Sequence, residues 1–313
     1  MTLDRSSIKA TAQRIAPFIH RTPVMSIVMP GLSQPVCLKL EQLQHTGSFK
    51  ARGAFSNLVG AKIPAVGVVA ASGGNHGAAV AYAAKVLGVP ARIFVPVISS
   101  PAKVARIAGY GATIVQDGAN YQESLALCID YAEKSGATNI HAYDTELTLN
   151  GPGALGREFE EQAPELNTIL IAVGGGGLIG GVASWYQSKV KIIGVEPETS
   201  NALHAALAAG SPVTIKPSGL AADSLGASSA GTLMFPIAQK HVAEVILITD
   251  DDIRAAQRFL WTYTQIVTEP GGAAAFACLL SAKYRPEKDE RVGVIVCGAN
   301  TPLETFNALF ATV

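Results

Sequence analysis

Three short segments of this chain place reactive side chains beside glycine. The first is His45-Thr46-Gly47-Ser48-Phe49-Lys50-Ala51-Arg52-Gly53, where a lysine follows a Gly-Ser turn and precedes an apolar run. Apolar Phe49, Ala51, Ala54 and Phe55 suggest that the ammonium lies in a cleft, where lost hydration lowers its pKa and frees a nucleophilic amine. A solvated surface lysine is the competing reading. The second segment, Ser72-Gly73-Gly74-Asn75-His76-Gly77, joins a buried run to an Ala-rich one. Backbone N–H groups at a helix start bind anions, and small residues let a carboxylate come close; an ordinary strand-to-helix turn capped by asparagine fits equally. The third, Val173-Gly174-Gly175-Gly176-Gly177-Leu178-Ile179-Gly180-Gly181, lets several N–H groups converge on one phosphate. A dinucleotide reading stays open there, because Glu196 follows by about 20 residues, where a ribose-binding acid would stand. A hydride-transfer enzyme, however, has no need of the upstream Lys50.

The elements that must position these segments alternate. Runs at 66–72 (VGVVAAS), 91–96 (ARIFVP), 112–117 (ATIVQD) and 139–143 (NIHAY) read as strands with little polar alternation, as expected when both faces of a parallel sheet are covered. Helical stretches at 77–87 and 121–134 lie between them. A second strand series follows at 168–173, 191–197, 244–249 and 292–298. Asp250, Asp251 and Asp252 open a helix at its positive end, and Ile253, Ala256, Phe259, Leu260, Tyr263 and Val267 keep its period. The pattern predicts an α/β fold with parallel-type sheets covered by helices. The uncharged stretch TILIAVGGGGLIGGVASW is nearly long enough for a bilayer, but its glycines make it a strand, a loop and a helix.

Composition narrows the function. Lys+Arg and Asp+Glu both number 24, so the net charge is zero and no field exists to hold a nucleic-acid backbone. Charged residues are 15%, against a usual share of about 25%, which describes a well-buried chain. The length of 313 residues suggests about two domains. Cys37, Cys128, Cys278 and Cys297 form no CxxC or Cys/His ligand spacing, the pattern of a reduced, cytoplasmic protein without structural zinc. Charges at Asp4, Arg5, Lys9 and Arg14 argue against a secretory signal, and nothing reads as a membrane span.

The segments GSFKARGA, ASGGNHGAAVAYAAKVLG, VGGGGLIGG, GVEP, TEPGGAAA and VIVCGAN, in this order, resemble the threonine/serine dehydratase and serine racemase group of fold-type II pyridoxal-phosphate enzymes. The resemblance runs from about residue 24 to 300 and implies a tryptophan synthase beta-like, two-domain fold. Residues 1–62 and 145–313 would form the larger, cofactor-binding domain, and 63–144 a smaller inserted one. It implies that Lys50 forms the Schiff base with pyridoxal phosphate, that Phe49 packs beside it, and that Asn75 hydrogen-bonds the ring hydroxyl. Gly174, Gly175, Gly176, Gly177 and Leu178 would hold the phosphate, and Ser72, Gly73, Asn75 and His76 the substrate carboxylate. Cys297 falls where relatives place Ser or Thr against the pyridine nitrogen, although a packed core thiol is the alternative. A homodimer acting on a small amino acid is implied as well.

The implied activity is an ammonia-lyase for a β-hydroxy amino acid such as threonine or serine; racemase, β-replacement enzyme and catalytically silent cofactor-binding protein are the alternatives. β-Replacement relatives carry Lys-Asp-Arg after the cofactor lysine, unlike Lys50-Ala51-Arg52. Racemases carry a second serine where this chain has Gly73, which leaves one face of the substrate without an acid and favours elimination over inversion. Ser224 is a competing source for the missing proton. Glu196 matches a divalent-cation ligand of racemase relatives, with Glu198 the nearest further acid, so a metal stays open. Gly151-Pro152-Gly153 replaces the usual Gly-Gln-Gly, which predicts an altered pocket beside the substrate side chain. With the chain stopping at Val313, no C-terminal regulatory domain is expected.

Overall fold

A computed structural model describes residues 3–311. Its strands are β1 Val24–Ile27, β2 Val36–Leu40, β3 Val68–Ala71, β4 Ala91–Val95, β5 Thr113–Gln116, β6 Thr138–Asn139, β7 Thr168–Ala172, β8 Lys191–Pro197, β9 Glu244–Ile248 and β10 Val292–Val296. They form a six-stranded sheet in the order β1-β2-β10-β7-β8-β9 and a four-stranded sheet in the order β5-β4-β3-β6. Strand pairs run parallel except at the edge, where β1 lies antiparallel to β2. The chain therefore leaves the first sheet after β2, builds the whole of the second, and returns at β7. Every residue of β7 and of β10 is buried, which explains the unbroken apolar runs that betrayed them.

Glycine decides how closely three helices cross beneath the future site. The helices Lys50–Leu58, Glu146–Gln162 and Gly177–Tyr186 pack together. A Cβ on Gly151 would stand 2.5 Å from the Gly53 nitrogen, and one on Gly181 2.3 Å from the Leu149 carbonyl oxygen. Gly151-Pro152-Gly153 thus lies inside a helix, at a backbone contact. The helix Asn75–Leu87 covers the second sheet with an almost continuous alanine surface and stops at Gly88 in the left-handed conformation.

Several predicted boundaries move. The strand expected at 139–143 is only Thr138–Asn139, because after Ile140 the backbone turns toward the cleft and its carbonyls serve side chains there. The helix expected from Gly77 begins at Asn75, and Gly74 takes the N-cap position that the turn reading gave to asparagine. The acidic helix is Asp250–Thr264, with Thr249 and Asp252 forming a capping box; Val267 lies beyond it, and Tyr263 is 72% exposed. β1 and β2 appear in no apolar pattern, since Lys39 sits within β2. No helix among the described residues is long and apolar enough to cross a membrane.

Candidate active site

Lys50 is the first residue of its helix and is anchored from the end of β10. Phe49 donates its N–H to the Cys297 carbonyl at 3.1 Å, and Ser48 bridges to Gly298. The turn before it uses left-handed backbone at Thr46 (φ 61°) and Gly47 (φ 69°), and a Cβ on Gly47 would meet Asn300 Oδ1 at 2.4 Å. Lys50 Nζ donates to the Ala142 carbonyl at 2.9 Å and lies 5.2 Å from the Phe49 ring centroid. Burial pulls the amine down to about 8, with Cys297 and Glu269 drawing it partly back. At neutral pH a useful fraction is the free base.

The loop at 72–76 follows β3 and opens the helix Asn75–Leu87, whose start no side chain caps. Ser72 Oγ accepts the Gly74 N–H at 3.2 Å. His76 Nε2 donates to the Ile140 carbonyl at 2.8 Å, and burial, helped by nearby Lys50, pushes its pKa down to about 3. That imidazole stays neutral and is spent on the fold. Asn75 Nδ2 donates to Glu269 Oε1 at 2.6 Å, while its Oδ1 accepts from Asn300 Nδ2 at 2.6 Å. Among the described residues the second amide hydrogen of Asn75 has no acceptor. Burial raises Glu269 to about 7, against the pull of Asn75, Arg106 and Lys103.

The glycine loop follows β7 and opens the helix Gly177–Tyr186, again without a side-chain cap. Its orphan N–H groups need an acceptor from outside the helix. A Cβ on Gly175 would stand 2.5 Å from the Tyr143 ring, and one on Gly176, at φ 90°, 2.4 Å from Met234 Cε. Only glycine lets this backbone pass.

One cleft of about 430 Å³ collects these parts: its wall includes Lys50, the loop at 72–76, Gly174 and Gly175. Phe49 and Gly177 border a smaller cavity shared with Lys50 and His76. Gly176, Leu178 and Cys297 are not on the cleft wall; Leu178 and Cys297 are buried. Cys297 Sγ donates to the Gly271 carbonyl at 3.4 Å, and burial, then Glu269, pushes its thiol far above the ordinary range. Pro152 reaches the small cavity, and none of Gly151, Pro152 or Gly153 lines the cleft, so the expected change beside a substrate side chain falls beneath Lys50 instead. Ser224 is on the wall, with its Oγ accepting the Gly271 N–H at 3.2 Å. Glu196, fully buried, accepts the backbone N–H groups of Leu203 (2.9 Å) and His204 (2.8 Å), and burial raises it to about 7. Among the described residues no group of three or more His, Cys, Asp or Glu is placed to hold a metal ion.

Sequence reasoning assigned no role to Glu269, Asn300, Tyr143 or Ser99. Glu269 carried one signal, a carboxylate directly before a proline-started, Ala-rich buried helix. Tyr143 was hidden in a range read as strand, and Ser99 stands in a loop with no pattern.

An amine of lowered pKa in a cleft with two uncapped helix starts, one of them a glycine cradle, fits a ligand that offers an aldehyde at one end and a phosphate at the other. The chain belongs to the pyridoxal-phosphate dependent enzymes, whose family profile matches residues 15–298. Among individual proteins it is similar to the phenylserine dehydratase of Ralstonia pickettii, 36% identical over 97% of this chain and 95% of that protein. It is also similar to the L-threonine ammonia-lyase of Geobacter sulfurreducens, 34% identical over 89% of this chain and 70% of the relative. The solved structure of maize serine racemase superposes with a TM-score of 0.92 at 33% identity, covering 98% of this chain and 97% of that one.

Proposed function

We propose that this enzyme is an ammonia-lyase that converts an L-β-hydroxy amino acid, such as threonine or serine, to a 2-oxo acid and ammonia. The observation that carries this reading is the meeting of Lys50 with both uncapped helix starts in one cleft. Lys50 would hold the cofactor through its nitrogen, and the same nitrogen, once free, would take the α-proton of the substrate. Pyridoxal phosphate, when bound, supplies the electron sink that stabilises the charge left on that carbon. The N–H groups of the loop, with Ser72, Gly73, Asn75 and His76, hold the substrate carboxylate. Gly174 to Gly177 and the Leu178 N–H would hold the phosphate, Phe49 would pack beside the ring, and the second amide hydrogen of Asn75 would serve the ring hydroxyl.

Cys297 would stand against the pyridine nitrogen in this reading. A thiol raised so far above its ordinary pKa is a weak proton donor, so it would leave a ring nitrogen beside it unprotonated and the cofactor a modest electron sink, which would suit prompt loss of the β-hydroxyl. The unsaturated amine that is released hydrolyses in water to the 2-oxo acid and ammonia. Glu196 is read as a helix cap, its two oxygens spent on Leu203 and His204, in preference to a metal ligand.

We read 63–144 as the smaller domain and 1–62 with 145–313 as the larger, supported by the second sheet being built wholly from the chain between Val68 and Asn139. A cytoplasmic homodimer is proposed on the resemblance, and four buried, free cysteines suit a reducing compartment. Racemisation is a second reading, favoured by the position of the Ser99 hydroxyl close to Gly73. Incubating the cofactor-loaded enzyme with L-serine, L-threonine and L-phenylserine should release ammonia and 2-oxo acid in equal amounts from at least one. Consumption of none of them would overturn the lyase assignment.

A further inference from the structure

Gly73 leaves no hydroxyl of its own on the loop that takes the substrate carboxylate, yet the space in front of it is filled from elsewhere. An ideal Cβ on Gly73 would stand 2.5 Å from Ser99 Oγ and 3.3 Å from Ser99 Cβ. One spot can therefore hold a side chain of residue 73 or the hydroxyl of residue 99, but not both as they stand. Ser99 lines the cleft, is half-buried, and its hydroxyl makes no hydrogen bond with the described residues.

Most other polar groups of that wall are engaged. Ser72 Oγ accepts from Gly74, the His76 ring is bound to Ile140, Lys103 pairs with Asp223 at 2.7 Å, and Ser224 is held by Ala221 and Gly271. Ser100, next in the chain, is exposed to solvent. Tyr121 is the rival hydroxyl: it also lacks a hydrogen-bond partner among the described residues, but it opens a different helix and burial pushes its pKa up to about 12.

Reach follows from bonding. The carboxylate carbon of an amino acid is bonded directly to the α-carbon, so a hydroxyl in front of the carboxylate loop stands close to the reacting atom. Lys50 comes to that atom from where the cleft meets the small cavity bordered by Phe49, Ala142 and Gly177. Gly73 and Ser99 line the same cleft as Lys50 but not that small cavity, and Gly73 also borders a further cavity beyond the loop that Lys50 does not line.

We propose that Ser99 is the second proton-transfer residue of this site, acting on the face of the α-carbon that Lys50 does not reach; this rests on the lyase reading above. The Lys50 amine takes the α-proton, and the C–H electron pair stays on the substrate side. The Ser99 O–H bond then breaks as a new C–H bond forms on the opposite face. Ser99 regains a proton from water, and the Lys50 ammonium gives one up to water. No oxidant or reductant enters, and the net result is inversion in parallel with elimination.

The test uses the cofactor-loaded enzyme with L-serine in deuterated water. It measures D-serine by chiral chromatography, deuterium at the α-carbon of recovered serine by mass spectrometry, and 2-oxo acid, each normalised to cofactor absorbance. The wild type should form deuterated D-serine alongside 2-oxo acid. Ser99→Ala should lower the ratio of D-serine to 2-oxo acid by about 10²-fold, the lower end of general acid-base effects. Adding Gly73→Ser to that variant should restore the ratio, because it returns a hydroxyl to the same spot from the other loop; a purely structural role for Ser99 would not be rescued in this way. Absence of D-serine from the wild type overturns the proposal, as does a loss that follows Tyr121→Phe and not Ser99→Ala. D-serine formed without 2-oxo acid would refute the lyase reading while leaving Ser99 supported.

Discussion

Lys39 and Lys50 are both amines withdrawn from water, and they have opposite fates. Lys39, within β2 and fully buried, donates to the Thr22 carbonyl (2.7 Å), Glu158 (2.5 Å) and Gln162 (2.7 Å), so all three of its hydrogens are used. Arg52, two residues along the helix from Lys50, joins the same cluster through Glu41 and Glu158. Burial alone would lower Arg52, but the two carboxylates hold it above its ordinary value; burial pushes Glu158 up, and Arg52 with Lys39 holds it below its usual range. Among the described residues Lys50 has a single acceptor, Ala142, and it faces an open cleft. Burial lowers both lysines; Glu41 and Glu158 draw Lys39 partly back, Glu158 through a direct hydrogen bond, whereas Cys297 and Glu269 act on Lys50 through their charge alone. A buried lysine becomes a reagent when its hydrogen bonds are left incomplete on the side that faces a cavity.

That contrast is broken most sharply at Lys50. Lys50→Ala should lower the 2-oxo acid rate by at least about 10³-fold, since nucleophile and base are lost together. Its folding stability should change by less than about 1 kcal/mol, the worth of one hydrogen bond. Steady-state kinetics and urea denaturation read the two effects, and a large loss of stability would mean that Lys50 is structural. Arg52→Met is the mirror image. Leaving Glu41 and Glu158 buried with one cation should cost about 3–5 kcal/mol of stability, and adding Glu41→Leu should recover part of it. Denaturant midpoints that barely move would show that water reaches the cluster.

The smallest effect is a pH profile that sharpens the comparison. With the Lys50 amine at about 8, the rate at which cofactor-free protein takes up pyridoxal phosphate should rise about tenfold per pH unit below that value, as deprotonation supplies free base, and level off above it. An ordinary exposed lysine would keep climbing toward about pH 10. Stopped-flow absorbance distinguishes the two, and a climb that continues past about pH 9 would contradict the burial argument.

Local chemistry was legible in the sequence wherever one short segment contains it. The Lys50 turn and the two glycine loops could be found because glycine density and flanking apolar runs are properties of neighbouring residues. β2 was not, because a lysine within a strand looks exposed until Glu158 is seen beside it, and that partner is 119 positions away. The overlong strand at 139–143 failed for a related reason: its residues look β-like, but the carbonyls of Ile140 and Ala142 are bound to His76 and Lys50. Ser99 and Gly73 form the same kind of pair, legible only once two loops are folded against each other.

The distances along the chain within the ion cluster also bear on the order of assembly. Arg52 and Glu158 are separated by 106 positions, and the chain between them contains all four strands of the second sheet. Closing so long a loop costs entropy before any contact repays it. The contacts of Lys39 and Arg52 with Glu158 therefore wait for the inserted segment to organise, whereas the Arg52 pair with Glu41, 11 positions away, carries no such cost.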